Sequence, residues 1–78
     1  MRDLSELPVG RSGLVKGLCS GGGIGRRLMD LGFTPGAEIA CLLNAPGGSM
    51  RAYSVRGTVI ALRRREARQV ILEEDSHE

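Results

Sequence analysis

Apolar and polar positions change period several times along this chain. Leu14 to Cys19 reads as a first strand, with Gly13 at its mouth and Lys16 opposite to Val15 by the two-residue period. Before it, Leu4 and Leu7 sit three apart, the spacing of one helical turn docked on a core. After it, Ile24, Leu28 and Leu31 recur at i, i+4 and i+7, which predicts a helix of about two turns. Gly32 stands where a helix C′ residue is expected, and Pro35 blocks continuation. Period two returns over residues 38–45, with Ile39, Cys41 and Leu43 on one face and Ala40 and Leu42 on the other. Pro46-Gly47-Gly48-Ser49 reads as a hairpin connection to a strand over residues 50–56, in which Arg51, Tyr53 and Val55 alternate with Met50, Ala52 and Ser54. A further strand covers residues 58–63, a helical turn takes Glu66, Ala67 and Arg68, and a last strand covers residues 70–74.

About five short, tightly connected strands with apolar residues on both faces must roll up to cover themselves. The expected fold is therefore mainly β: a small barrel with a short helix after the first strand and a helical turn before the last. An open sheet with the helix over one face is the alternative. Leu28, Leu31, Ile39, Cys41, Ile60, Leu62, Val70 and Leu72 are expected to share its core. One domain spans residues 1–78, and the acidic tail 73–78 is expected to fray.

Composition sharpens the picture by exclusion. Seventy-eight residues supply one thin core and no enclosed substrate chamber. Phe33 and Tyr53 are the only aromatics, which weakens both base-stacking and proline-reading surfaces. The net charge is +2, and ten of the eleven basic residues are arginine. That excess is small for general nucleic-acid binding. No secretory signal pattern and no apolar run of membrane-spanning length is present, and two unpaired cysteines, Cys19 and Cys41, fit a reducing compartment. A cytoplasmic location with free thiols is expected, without direct insertion into a membrane.

Candidate chemistry is sparse. The lone His77 lies next to the last residue, where a catalytic group cannot be held rigidly. Cys41 lies in an apolar run and reads as a packed thiol. Neither a Walker A string nor a G-x-G-x-x-G string occurs, although Ser20-Gly21-Gly22-Gly23-Ile24-Gly25-Arg26-Arg27 is glycine-rich and enters the helix. No enzymatic activity is expected. The loop formed by Ser20, Gly21, Gly22, Gly23 and Gly25, with Arg26, Arg27 and Asp30 on the helix, reads as a protein-docking face. Its competitor is a solvated helix beside a merely short loop. Arg63, Arg64, Arg65 and Arg68 form the alternative docking cluster for an acidic surface. Asp75, His77 and Glu78 offer a weak surface or inter-chain site for a divalent ion such as zinc or iron, with no cofactor required.

One stretch carries a resemblance. Leu31-Gly32-Phe33-Thr34-Pro35-Gly36 followed by Glu38-Ile39, and later Arg56-Gly57-Thr58-Val59-Ile60-Ala61-Leu62-Arg63, resembles FeoA, the small cytoplasmic component of bacterial ferrous iron transport. The resemblance runs from about Leu4 to Glu73. The same module ends some iron- or manganese-dependent repressors, but no helix-turn-helix is visible here. The resemblance implies an SH3-like barrel with extra helices. It also implies an accessory role on the inner membrane's cytoplasmic side, docking on the GTPase-bearing permease FeoB in support of Fe(II) uptake, with weak self-association left open. A small divalent-metal-binding protein and a nucleic-acid-binding barrel are the competing functions.

Overall fold

In the computed structural model, which describes residues 2–19 and 22–73, strand is the commonest regular structure. The elements are β1 (Arg2–Asp3), a 3-10 turn (Leu4–Glu6), β2 (Ser12–Leu18), α1 (Gly22–Asp30), β3 (Glu38–Asn44), a second 3-10 turn (Pro46–Gly48), β4 (Met50–Val55), β5 (Thr58–Arg63), α2 (Arg64–Ala67) and β6 (Val70–Leu72). The strands form an antiparallel sheet in the order β1-β6-β2-β3-β4-β5.

The sheet folds over at β2. Ser12 to Leu14 pair with β3, whereas Val15 to Leu18 pair with β6, with a register shift between Val15 and Gly17. Such a bulge bends its strand and adds twist, so one strand can serve two half-sheets. The end strands β1 and β5 do not pair with each other, so the expected barrel is barrel-like rather than closed. There are six strands rather than about five. The extra one is β1, a two-residue bridge of Arg2 to Leu72 and Asp3 to Ile71, too short to leave a periodic signal. The expected helical turn begins at Arg64, earlier than Glu66, and the last strand ends at Leu72.

The core gathers Leu4, Leu7, Val15, Leu28, Phe33, Ile39, Cys41, Tyr53, Val55, Leu62, Ala67, Val70 and Leu72. Six of the eight expected core residues are fully buried, and Leu31 and Ile60 pack against them in part. Leu4 and Leu7 dock as one turn, as their spacing predicts.

Two expectations about faces fail. Ile24 is 44% exposed, and α1 instead buries Gly25 and Leu28. These lie at i and i+3, so the buried face is rotated one residue from the stripe drawn through Ile24. Leu43 does not share the inner face with Cys41, because a register shift between Cys41 and Leu43 interrupts the alternation. Leu42 and Leu43 are both exposed as a result.

The C-terminus of α1 is locked by backbone chemistry. The Gly32 N–H donates to the Met29 carbonyl and the Phe33 N–H to the Leu28 carbonyl, both at 3.0 Å. This is the Schellman pattern, and Leu28 and Phe33 are both buried in the same core cluster. Gly32 sits at φ 111, and a Cβ there would meet Val55 Cγ2 at 3.3 Å. The loop then joins β2: Gly36 N–H donates to the Val15 carbonyl at 2.8 Å, and Val15 N–H to the Ala37 carbonyl at 2.9 Å. The string Leu31-Gly32-Phe33-Thr34-Pro35-Gly36 thus performs a local task, seating the end of α1 against β2 and β4.

Candidate docking surface

The residues expected to dock divide into three groups. Arg26 and Asp30 are exposed on α1, one turn apart, and line an open groove of about 880 Å³. Its other walls are Leu18 and Cys19 from the end of β2, Gly22, Gly23, Gly25 and Met29 from α1, and Pro35 from the following loop. Met29 is 48% exposed, and the Cys19 thiol is free and exposed. The Cys19 N–H donates to the Gln69 carbonyl at 2.6 Å, which fixes the β2 rim. Ser20 and Gly21, expected to complete the loop, lie outside the described residues.

Arg27 turns elsewhere. Its Nη1 lies 2.7 Å from Glu66 Oε2, while Glu66 Oε1 accepts the Arg63 N–H at 2.9 Å. Glu66 therefore ties α1 to α2 and caps the start of α2 at once. Arg63, Arg64, Arg65 and Arg68, the alternative cluster, are all exposed at and just beyond the end of β5.

The expected metal residues Asp75, His77 and Glu78 also lie outside the described residues. Among the described residues no group of three or more His, Cys, Asp or Glu side chains converges on one point. Among them, too, no helix is long and apolar enough to cross a membrane.

Sequence reading missed two features. One is the apolar character of the groove, carried by Met29, Cys19 and Leu18. The available signal was Gly25, a glycine inside a helical pattern, which points to a packing role and is buried here. The other is Arg51, buried at 9% exposure on the inward row of β4. Its Nη1 donates to the Ser5 carbonyl, and its Nη2 to the Leu7 carbonyl at 2.6 Å and the Cys41 sulfur at 3.3 Å. The Tyr53 hydroxyl donates to the Leu4 carbonyl at 3.1 Å. Burial pushes the Tyr53 hydroxyl up to about 12, against the opposing pull of the Arg51 charge. Two side chains of β4 thus hold the carbonyls of the N-terminal turn, at Leu4, Ser5 and Leu7. Strand alternation put Arg51 beside Tyr53 and Val55, but an arginine in that row reads as an edge residue until its partners are known.

Fold and surface together define a class: a small SH3-like β domain with two short helices and an open groove between β2 and α1. The comparisons then give the family. The FeoA domain model matches residues 2–74, and this chain belongs to the FeoA family. FeoA of Stenotrophomonas maltophilia, solved as a zinc complex, is 35% identical over 94% of this chain and 91% of its own, with a TM-score of 0.85. The FeoA-like protein of Clostridium acetobutylicum is 30% identical over 97% of this chain and 92% of its own, with a TM-score of 0.84. Iron(II) transport protein A of Clostridium thermocellum is 33% identical over 92% of this chain but only 44% of its own, with a TM-score of 0.87. A manganese-dependent transcriptional repressor shares the fold alone, at 16% identity over 41% of its length and a TM-score of 0.78. Among curated proteins, none matches the chain.

Proposed function

We propose that this chain is an accessory protein of bacterial ferrous iron uptake that docks on the permease FeoB from the cytoplasmic side, and that the β2–α1 groove is its docking face. Membership of the FeoA family supports the process. The observation that carries the docking face is Met29, 48% exposed in the groove on a helix whose buried residues are Gly25 and Leu28. An apolar floor flanked by Arg26 and Asp30 has the make-up of a recognition site, with buried contact area inside and charge at the rim. Arg27 takes no part, because Glu66 already holds it.

The test uses the purified cytoplasmic domain of the permease and calorimetry. Met29→Ser with Arg26→Glu is expected to weaken binding by more than about tenfold, or about 1.4 kcal/mol. The thermal midpoint should barely move, since both side chains are exposed. Unchanged affinity in that folded variant would remove the groove from the reading.

The zinc complex of the Stenotrophomonas relative favours a second reading, in which divalent metal binds at the surface. The donors this chain offers for it are in the tail, at Asp75, His77 and Glu78. Zinc titration of the full chain against a chain ending at residue 73 tests it. Equal uptake by both would exclude the tail.

A further inference from the structure

The sheet has two edges, and they are protected unequally. β1 is two residues long, whereas β5 has six residues, no proline and no register shift against β4. Short length, proline, bulges and charge are the usual devices that keep an edge from pairing. On β5 the only one present is Arg63, at its end.

The hairpin turn sets which backbone groups are free. Arg56 and Gly57, at φ 53 and 80, form the two-residue turn between Val55 and Thr58. Val55 and Thr58 close that turn as a hydrogen-bonded pair, so bonded pairs recur at Tyr53 with Ile60 and Arg51 with Leu62. The Arg64 N–H donating to the Ser49 carbonyl at 3.0 Å continues the same phase. The N–H and C=O groups of Val59, Ala61 and Arg63 therefore point away from β4. Glu66 takes the Arg63 N–H. Val59 and Ala61 each keep a donor and an acceptor on an edge that no described strand covers. Val59 is 65% exposed, and Arg63, Arg64 and Arg65 are exposed where the strand ends.

We propose that β5 accepts a strand from a partner protein: an extended segment of acidic residues followed by β-branched residues, running antiparallel to β5. Antiparallel addition sets that order, because the N-terminal end of the incoming strand lies beside Arg63 and its C-terminal end beside Thr58. Its carboxylates pair with the arginine forks. Its β-branched side chains cover Val59 and Ala61 on the outer face. A second copy of β5 fits less well, because Thr-Val-Ile-Ala-Leu-Arg brings no carboxylate to the arginines. This edge is separate from the β2–α1 groove and does not rest on the permease reading.

The experiment titrates the full chain with a fluorescent peptide, Glu-Glu-Asp-Thr-Val-Thr-Val. The controls are the same residues in reverse order and a Gln-Gln-Asn version. The acid-first peptide is expected to bind at least about tenfold tighter than either control. Added salt should weaken it. Amide exchange at Val59 and Ala61 should slow when it is bound. Ala61→Pro removes an outward N–H without removing a bond to β4, and should abolish binding. Arg64→Glu with Arg65→Glu, on exposed positions outside the strand, should weaken binding at least about tenfold with an unchanged thermal midpoint, so the idea stays testable if the proline variant does not fold. No binding, equal binding of the three peptides, or binding without protection at Val59 and Ala61 would overturn the proposal. A concentration-dependent dimer protected at those two amides, with no peptide binding, would assign the edge to a second copy and overturn it too.

Discussion

Strand β4 and helix α1 spend their residues in opposite ways. β4 buries every inward side chain, and one of them is an arginine. α1 is nine residues long and buries only Gly25 and Leu28, while Ile24 and Met29 face outward. Polarity alone would have sorted them the other way. In β4 the register decides: position 51 is inward because 53 and 55 are, and the side chain survives there by finding three acceptors. In α1 the helix phase decides: Gly25 and Leu28 are on the buried face, and Ile24 is left half exposed. The lesson is that burial follows geometry first. A residue on the wrong side of the polarity rule marks an internal lock at Arg51, and at Met29 an exposed apolar side chain on which the docking proposal rests.

The contrast is broken most sharply within α1 itself. Leu28→Ala should destabilise the domain by about 2–5 kcal/mol, because a core of this size cannot refill the space. The adjacent Met29→Ala should stay within about 0.5 kcal/mol. Leu31→Ala should fall between, since Leu31 only packs against the core in part. Denaturant midpoints of the three variants check the order. Similar values for Leu28 and Met29 would mean that the helix is seated on another face.

In β4 the matching change is Arg51→Met, which keeps a long chain in the space but removes the donors. The Ser5 and Leu7 carbonyls then lose their partner, and about 2–4 kcal/mol should be lost. Amide exchange over residues 4–7 should rise more than in β3. A variant as stable as the parent would show that an apolar chain serves equally well there, as replaced buried charges sometimes do.

Tyr53 gives the lock a pH signature. Its hydroxyl titrates near 12 folded and near 10 unfolded, so between those values the unfolded chain carries fewer protons. Stability from this group is whole below pH 10 and falls as pH rises toward 12, by about 2 kcal/mol in all. Tyr53→Phe loses the bond to the Leu4 carbonyl at neutral pH, about 1 kcal/mol, but should lose less on going from pH 9.5 to pH 11.5. Parallel pH profiles for parent and variant would remove Tyr53 as the alkaline sensor.

These tests follow a line that the sequence itself draws. Strand positions, the α1 stop at Gly32, the turn at Leu4 to Leu7 and the buried thiol of Cys41 were legible because each depends on local period or turn chemistry. The bulge after Cys41, the two-residue β1 and the burial of Arg51 were not, because each depends on a partner distant in sequence. Arg51 meets Ser5 and Leu7 across more than forty positions. The two arginines expected to dock split for the same reason. Arg26 and Arg27 are adjacent, yet only Arg27 meets Glu66, thirty-nine residues on.

The smallest effect tests that split. Arg27 is 62% exposed at its side chain and Glu66 13%, so the ion pair itself should couple by no more than about 1 kcal/mol in a double-mutant cycle. The single changes should be unequal. Arg27→Ala removes only the pair. Glu66→Ala also leaves the Arg63 N–H uncapped at the start of α2, and should cost about 0.5–1 kcal/mol more. Added salt should shrink the coupling and leave the capping loss nearly intact, because screening acts on the exposed pair and not on a short backbone hydrogen bond. If Arg27 is held inside the molecule, Arg27→Ala lowers the thermal midpoint slightly and leaves permease affinity unchanged, while Arg26→Glu does the reverse. An Arg27 variant that keeps its midpoint and loses affinity would return that side chain to the docking face, and the two adjacent arginines would then share one task.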